Sequence, residues 1–439
     1  MSARNRELLA LIPASLLVTG GFTAVFIERH DVVSNVSLTY GLIFLGLCVA
    51  AHVLLRFTLP NADPYLFPLF AVLACFGLVM IYRIDDTLAR EQAQWFVIGL
   101  GLFAATILLL RDDYRVLERY RYTIAAGGIL LLLLPRVPGI GQQVNGAYLG
   151  VTLGPFTFQP AEFAKIAIIV FLASYLRDTR QLLVIGARRF AGITIPPLKY
   201  LGPLLVVWGA AMVMLFLIQD IGSSLMFYGG FLALLYVATN RLSFVTIGLT
   251  LFAGGSWLLY QIRPTIQNRV DAWLHPFSTH LYDRPGGSYQ LAQSLFAQAD
   301  GGIFGQGFGQ ALIQVSGPGG HPIPLLPAAQ TDLIYSVITN ELGLLGAAAV
   351  ICTYLLAVER GFKTATLARD SFSKLLAAGL TAVFALQVFV IVGGVTKVIP
   401  LTGVTLPFIS YGGSSILANF VLLALLLLVS DRARREVAS

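Results

Sequence analysis

Leu281-Tyr-Asp-Arg-Pro-Gly-Gly-Ser-Tyr-Gln-Leu291 lies inside the longest polar interruption, Arg263 to Gln330, of a sequence that is otherwise almost continuously apolar. A lone carboxylate, Asp283, is followed by Gly286 and Gly287. Further glycines come at Gly301-Gly302, at Gly305, Gly307 and Gly309, and at Gly317-Pro-Gly-Gly320. The stretch closes on Pro327-Ala-Ala-Gln-Thr-Asp332, where a hydrophobic helix begins. Connections beyond about 15 residues are usually functional or disordered. Trp273, Phe277, Tyr289, Phe304 and Phe308 supply too many apolar anchors for a disordered tail.

On either side of this loop the chain can only belong in a bilayer. Of 439 residues, 57% are hydrophobic and 12% charged, with a mean hydropathy of +0.79. A soluble domain carries about 25% charged residues. A span needs about 20 mostly apolar residues. Twelve stretches qualify, near 8–27, 37–56, 65–82, 94–110, 122–137, 160–176, 200–218, 220–239, 243–262, 332–356, 375–396 and 412–430. The expected fold is an all-α polytopic membrane protein of about 12 transmembrane helices, with a long extracytoplasmic loop over about 263–330. The first run, behind Arg4 and Arg6, is long enough to span and lacks a clear cleavage site, so it is read as a helix. Residues 1–60 read as an appended two-helix hairpin ending at Leu59-Pro-Asn-Ala-Asp-Pro64, and 61–439 as the core. Pro400-Leu-Thr-Gly-Val-Thr-Leu-Pro-Phe-Ile-Ser-Tyr-Gly-Gly-Ser-Ser415 cannot be regular helix. Such backbone is tolerated at membrane depth only where protein or water surrounds it, which predicts a re-entrant segment near 397–411.

Charge fixes the expected orientation. With the N-terminus in the cytoplasm and alternating spans, 20 of the 29 Lys and Arg residues fall inside, 8 outside, and Lys165 within a span. Both termini are then cytoplasmic and the long loop lies outside. The net charge of +7 is an orientation signal, and no nucleic-acid partner is expected. Cys48, Cys75 and Cys352 sit in apolar runs as small hydrophobes, with no disulfide framework or metal spacing.

Ionisable groups within spans cost about 2.5 kcal/mol or more and are commonly functional. Glu162 and Lys165 share one helix face. They read either as a self-neutralising pair or as a charged wall for a polar substrate. Asp220 and Asp332 stand at helix starts, where capping is the plain alternative to a site role. Glu341, nine residues beyond Asp332, would face away from it on a straight helix and reads as a packing contact. Asp283 has no helix to cap, and as an isolated aspartate it reads first as a solvated loop carboxylate.

Several of these stretches, taken together, resemble the SEDS family, the shape, elongation, division and sporulation proteins that include RodA and FtsW. They are Asn145-Gly-Ala147, Gly154 to Lys165, Asp220-Ile-Gly222, Asp283 to Gln290, Gln330-Thr-Asp332 with Glu341-Leu-Gly343, and Pro400 to Ser415, in the family's order over about 64–439. The two extra N-terminal spans, and Gly393-Gly-Val-Thr396, are most similar to RodA proteins of actinobacterial type. The resemblance implies a peptidoglycan glycosyltransferase of the bacterial cytoplasmic membrane. It would polymerise lipid II, the disaccharide-pentapeptide on undecaprenyl pyrophosphate, at the outer face, beside a class B penicillin-binding protein. Asp283 matches the family's extracytoplasmic aspartate and would be the catalytic base. Glu162, Lys165, Asp220 and Asp332 match cavity and motif positions, and Ser410 and Tyr411 of the re-entrant stretch join them as substrate-binding candidates. Lys165, Arg269, Arg284 and Lys397 are the cations that could meet the departing pyrophosphate, with a divalent cation, Mg or Mn, as a candidate helper and no other cofactor expected. The sequence departs from the pattern at Tyr148-Leu-Gly150, Ala161, His275, Ser288 and Gln330. A lipid II flippase, or a silent scaffold for a transpeptidase, are the competing readings.

Overall fold

The computed structural model describes all residues except 1–2, 31–34, 145–146, 154–155, 186–187, 191–192, 196–208, 210–212, 214–220, 285, 317–320 and 439. The described chain is a helical bundle, with α1 (Ala3–Ala10), α2 (Ile12–His30), α3 (Asn35–Thr58), α4 (Leu66–Ile84), α5 (Asp86–Leu110), α6 (Val116–Arg119), α7 (Arg121–Leu133) and α8 (Ala161–Ile185). It continues with α9 (Ile221–Thr239), α10 (Leu242–Ile262), α11 (Pro264–Leu274), α12 (Thr279–Tyr282), α13 (Tyr289–Gly301), α14 (Ile334–Leu367), α15 (Ser371–Val395) and α16 (Gly413–Ala438). Among the described residues, nine helical segments are long and apolar enough to cross a membrane. α7, with 13 residues, and the charge-bearing α8 occupy two further expected spans. The stretch expected at 200–218 lies almost wholly outside the described residues.

The loop over 263–330 is structured. It holds α11, α12 and α13 and an antiparallel pair, β6 (Gln314–Ser316) with β7 (Pro322–Pro324), in register Gln314↔Pro324. Two more small antiparallel sheets stand outside the helices. One joins β1 (Gly141–Val144), β2 (Ala147–Leu153) and β3 (Phe156–Phe158), and the other pairs β4 (Arg188–Phe190) with β5 (Ile193–Ile195).

At the centre runs α16, apolar on every side, as a helix enclosed by its neighbours must be. Its Phe420 meets Phe96 and Phe103 of α5 and Phe408 of the re-entrant stretch, with centroids 5.2, 6.1 and 5.2 Å apart. Phe70 of α4 continues the column to Phe384 of α15 at 5.0 Å. Small residues allow the close approaches that drive helix association in lipid. Gly99 admits the Phe420 ring, and Gly379 and Gly230 admit Ile169 of α8.

α14 is broken rather than straight. Gly343 adopts φ 65°, ψ −168°, a conformation only glycine takes readily. Loop residues repair the opened backbone, with Leu344 N donating to Gly302 O at 2.9 Å and Gly307 N to Glu341 O at 3.1 Å. Glu341 turns to Arg83, 2.6 Å away, as a buried ion pair, a structural contact made through charge rather than the packing contact expected from the sequence. The hairpin α2–α3 packs on α4 and α5. At the face opposite the long loop, Arg4 pairs with Glu7 and Ala62 O, and His52 Nδ1 lies 2.8 Å from Glu7.

Candidate active site on the loop face

α11 starts with Pro264 at its first position, where a missing N–H costs nothing. At its penultimate residue, Trp273 donates its indole N–H to the carbonyl of Lys397 at 3.1 Å, tying the helix to the segment after α15. Lys397 is exposed and holds a positive φ of 64°. Arg269 projects from the same helix, half-buried, with its Nη1 lacking a hydrogen-bond partner among the described residues.

The chain then makes the single turn α12 and stops at Asp283. A tight turn follows, closed by Gly287 N to Arg284 O at 2.9 Å and Ser288 N to Leu281 O at 3.0 Å. The Leu281 carbonyl sits where a Cβ on Gly287 would have to be. Ser288, where the family pattern has glycine, is fully buried at the start of α13. Tyr282 and Tyr289 meet edge-to-face at 5.0 Å. Gln293 donates to the Tyr282 hydroxyl at 2.6 Å, and the Tyr289 hydroxyl donates to Pro324 O at 2.9 Å. Burial, with Tyr282 alongside, holds the Tyr289 phenol above its usual pKa, so it remains a neutral donor. Asp283 is thus carried on a braced frame while its own carboxylate is exposed, with no hydrogen bond or ion pair among the described residues. Next to it the exposed Arg284 donates to His280 Nε2 at 2.8 Å. Both line an open cleft of roughly 500 Å³ with Asp271, His275, Ser278 and Leu281.

A second constellation forms where the re-entrant stretch meets α5, α8, α14 and α15. The residues between Val395 and Gly413 are not helical, in line with the expected re-entrant segment. Ser410 Oγ accepts from Leu406 N at 2.9 Å and donates to Thr331 O at 2.7 Å. Tyr411 N donates to Gln330 O at 2.8 Å, and its hydroxyl donates to Glu91. Gln92 spans the turn, donating to Ser410 O at 3.1 Å and accepting from Gly412 N at 3.2 Å. Asp332 lies beside Gly403, whose φ is 72°. Gly222 lets α9 close on Thr402 and Val404, whereas Asp220, two residues earlier, lies outside the described residues.

Glu162 and Lys165 form the self-neutralising pair. Lys165 Nζ is 2.6 Å from Glu162 and 2.6 Å from Gln387 Oε1, and Gln387 passes the link to Thr405 O at 3.0 Å. Both charged residues are at most 3% exposed. The structure therefore joins Glu162 and Lys165 to the re-entrant stretch, and Ser410 and Tyr411 to the Gln330–Asp332 corner. It joins Lys397 to α11, and sets Arg284 beside Asp283. No direct contact links Asp283 to Glu162 or Lys165 among the described residues. Gln92, Gln293 and Gln387 are additions that charge-centred reading of the sequence passes over, although an amide inside an apolar span is itself a signal.

A multi-helix bundle with nine membrane-length apolar helices among the described residues, and an irregular segment between its last two, defines a polytopic membrane protein. The family model for FtsW, RodA and SpoVE, described as cell cycle protein, matches residues 64–435, and the chain belongs to that family. It is 41% identical to the peptidoglycan glycosyltransferase RodA of Mycobacterium bovis over 445 residues, covering 99% of this chain and 92% of that one. Stage V sporulation protein E of Bacillus subtilis is 30% identical over 373 residues, 83% of this chain and 95% of its own. Among solved structures, the rod shape determining protein RodA of Thermus thermophilus superposes with a TM-score of 0.58 at 25% identity, covering 85% of this chain and 97% of that one. A chain from a peptidoglycan synthase complex, described as coordinating polymerization and crosslinking, gives 0.64 at 26% identity over 85% and 98%.

Proposed function

We propose that this membrane protein is a peptidoglycan glycosyltransferase that polymerises lipid II, with Asp283 as its general base. The loop carrying Asp283 faces the outside of the cytoplasmic membrane and both termini face the cytoplasm, as the Lys and Arg distribution favours. Residues 1–60 form an accessory hairpin on a catalytic core. A class B penicillin-binding protein that crosslinks the product is its partner.

The chemistry needs little from the protein beyond a base, cations and alignment. Asp283 takes the proton from the 4-hydroxyl of the acceptor sugar as that oxygen bonds to the donor's anomeric carbon. The bond from this carbon to the pyrophosphate oxygen breaks on the opposite face, and undecaprenyl pyrophosphate leaves with the electron pair. One displacement converts the α-linked donor to a β-1,4 linkage and requires no enzyme nucleophile. A positioned base contributes about 10² to 10⁴ in rate. Arg284, Arg269 and Lys397 are the cations on this face that stabilise the departing pyrophosphate. Lys165, already satisfied by Glu162 and Gln387, contributes by holding the re-entrant stretch in place. Among the described residues no three His, Cys, Asp or Glu side chains gather to hold a metal ion.

The observation that supports this reading most is the exposed Asp283, without a hydrogen bond among the described residues, on a turn held by Gly287 N to Arg284 O, Ser288 N to Leu281 O and Gln293 to Tyr282. Proteoliposomes containing labelled lipid II test it. Glycan strands should accumulate on the side of the long loop, whereas movement of lipid II across the bilayer without polymer would make the protein a transporter.

A further inference from the structure

Two open clefts of different lining lie near the turn bearing Asp283. On one side Arg284, His280 and His275 stand with the Asp271 carboxylate and Ser278. On the other, a second open cleft of roughly 500 Å³ runs between α13, the 303–313 strand of loop and the start of α14. Its polar lining is Gln293, Asp300, Gln306, Gln310 and Asn340, four neutral amides and one carboxylate, with Phe296 as the aromatic surface. No cation lines it, so a pyrophosphate would find no partner there. Planar amides beside an aromatic face suit a neutral ligand rich in hydroxyl and acetamido groups.

Resting on the function proposed above, we infer that this second cleft binds sugar units of the growing glycan strand, beyond the pair that reacts. Gln293 connects the two places: it lines the cleft and donates to Tyr282, the residue before Asp283. From Gln293 the lining positions Phe296, Ala297 and Asp300 follow at helical spacing along one face of α13. Seven residues of helix extend about 10 Å, the reach of two linked pyranose rings. Phe296 stacks on Phe277 with centroids 5.4 Å apart, and both rings are about half exposed, a platform rather than a core contact. The walls are fixed. Asn340 Nδ2 donates to Ala297 O at 2.8 Å, and Gln306 N donates to Asn340 O at 2.9 Å. The Gln310 side chain forms no hydrogen bond among the described residues, which leaves its amide for a ligand.

The test uses the full-length protein in nanodiscs. Chitotetraose, a neutral β-1,4-linked acetamido sugar, should bind to the wild type and to Asp283→Ala alike, and at least tenfold more weakly to Gln310→Ala and Phe296→Ala. With lipid II as substrate, the mean strand length made by Gln310→Ala should fall at least threefold, and by a larger factor than its rate of first coupling. Binding that ignores both substitutions, or strand length and first coupling falling together, overturns the inference. A wild type that makes no polymer but binds chitotetraose through Gln310 and Phe296 contradicts the catalytic proposal and leaves the sugar cleft standing.

Discussion

Lys165 places its ammonium nitrogen 2.6 Å from the Glu162 carboxylate and at the same distance from the Gln387 amide oxygen, inside the bundle. A buried pair of this kind is costly to break from one side, because the remaining charge keeps its desolvation without its partner. Lys165→Met should therefore cost about 3–5 kcal/mol, read as a fall in melting temperature in detergent. The double variant Glu162→Gln/Lys165→Met should cost clearly less than the two singles summed. Additive costs would show that the two side chains do not act as a pair.

In the proposed reaction, the cations on the loop face stabilise charge that develops only as the donor bond breaks. Arg284→Ala and Lys397→Ala should each lower kcat by about tenfold to a hundredfold, more than they change KM. Arg284→Lys should recover part of the loss, since it keeps the charge without the fork. Steady-state kinetics with lipid II check this, and a pure KM effect would reassign both residues to ground-state binding.

Ser410 ties the re-entrant turn to the Gln330–Asp332 corner, accepting from Leu406 N and donating to Thr331 O. Ser410→Ala leaves a buried N–H without its acceptor, at about 1–3 kcal/mol. Thermal unfolding and polymerising activity should fall together, because the Gln330–Asp332 corner loses its tether. Ser410→Thr, which keeps the hydroxyl, should lose less of both.

Asp370 caps α15 through Ser373 N at 3.0 Å and pairs with Arg115 at 3.1 Å. Burial pushes its carboxyl up, but the Ser373 hydrogen bonds and Arg115 outweigh it, and the net pKa lies below the ordinary value. A carboxylate with a depressed folded pKa contributes stability above its unfolded pKa. That contribution is lost as the pH falls through the folded one. Asp370→Asn keeps the cap but loses the charge facing Arg115, so it should cost about 0.2–1 kcal/mol at neutral pH and flatten the acid limb of the stability profile. Chemical denaturation between neutral and acid pH measures both effects, and an unchanged acid limb would remove Asp370 from the account.

Much of the bundle was legible because a bilayer demands long apolar runs: eleven of the twelve stretches read from hydropathy fall on described helices, and nine helical segments among the described residues are long and apolar enough to span. The prolines and glycines of 400–415 likewise announced a break in regular structure. Three features were not legible. The small sheets escaped a reading tuned to apolar spans, although Asn145-Gly146 between two short runs, Gly141–Val144 and Ala147–Leu153, is a hairpin signal. The aromatic anchors of the loop over 263–330 marked it as ordered, but its individual helices were not legible because they are short and held by tertiary contacts, as Trp273 to Lys397 and Asn340 to Ala297 illustrate. Gly343 gave no sign of breaking α14, since a lone glycine in an apolar run is common, and only the docked 302–307 backbone explains the break. The site was legible as residue types but not as a constellation. Glu162 and Lys165 announced their pairing through their spacing, whereas Gln387, 222 residues away from Lys165, could be found only in three dimensions.

The central claim is that the exposed carboxylate of Asp283 draws the proton from the acceptor sugar. Polymerisation of purified lipid II by wild type and Asp283→Ala, with the transpeptidase partner titrated in, tests it most directly. The account predicts that the variant keeps the wild-type melting temperature and loses at least about 10² in rate. Glycan strands formed by the variant at the wild-type rate would contradict it.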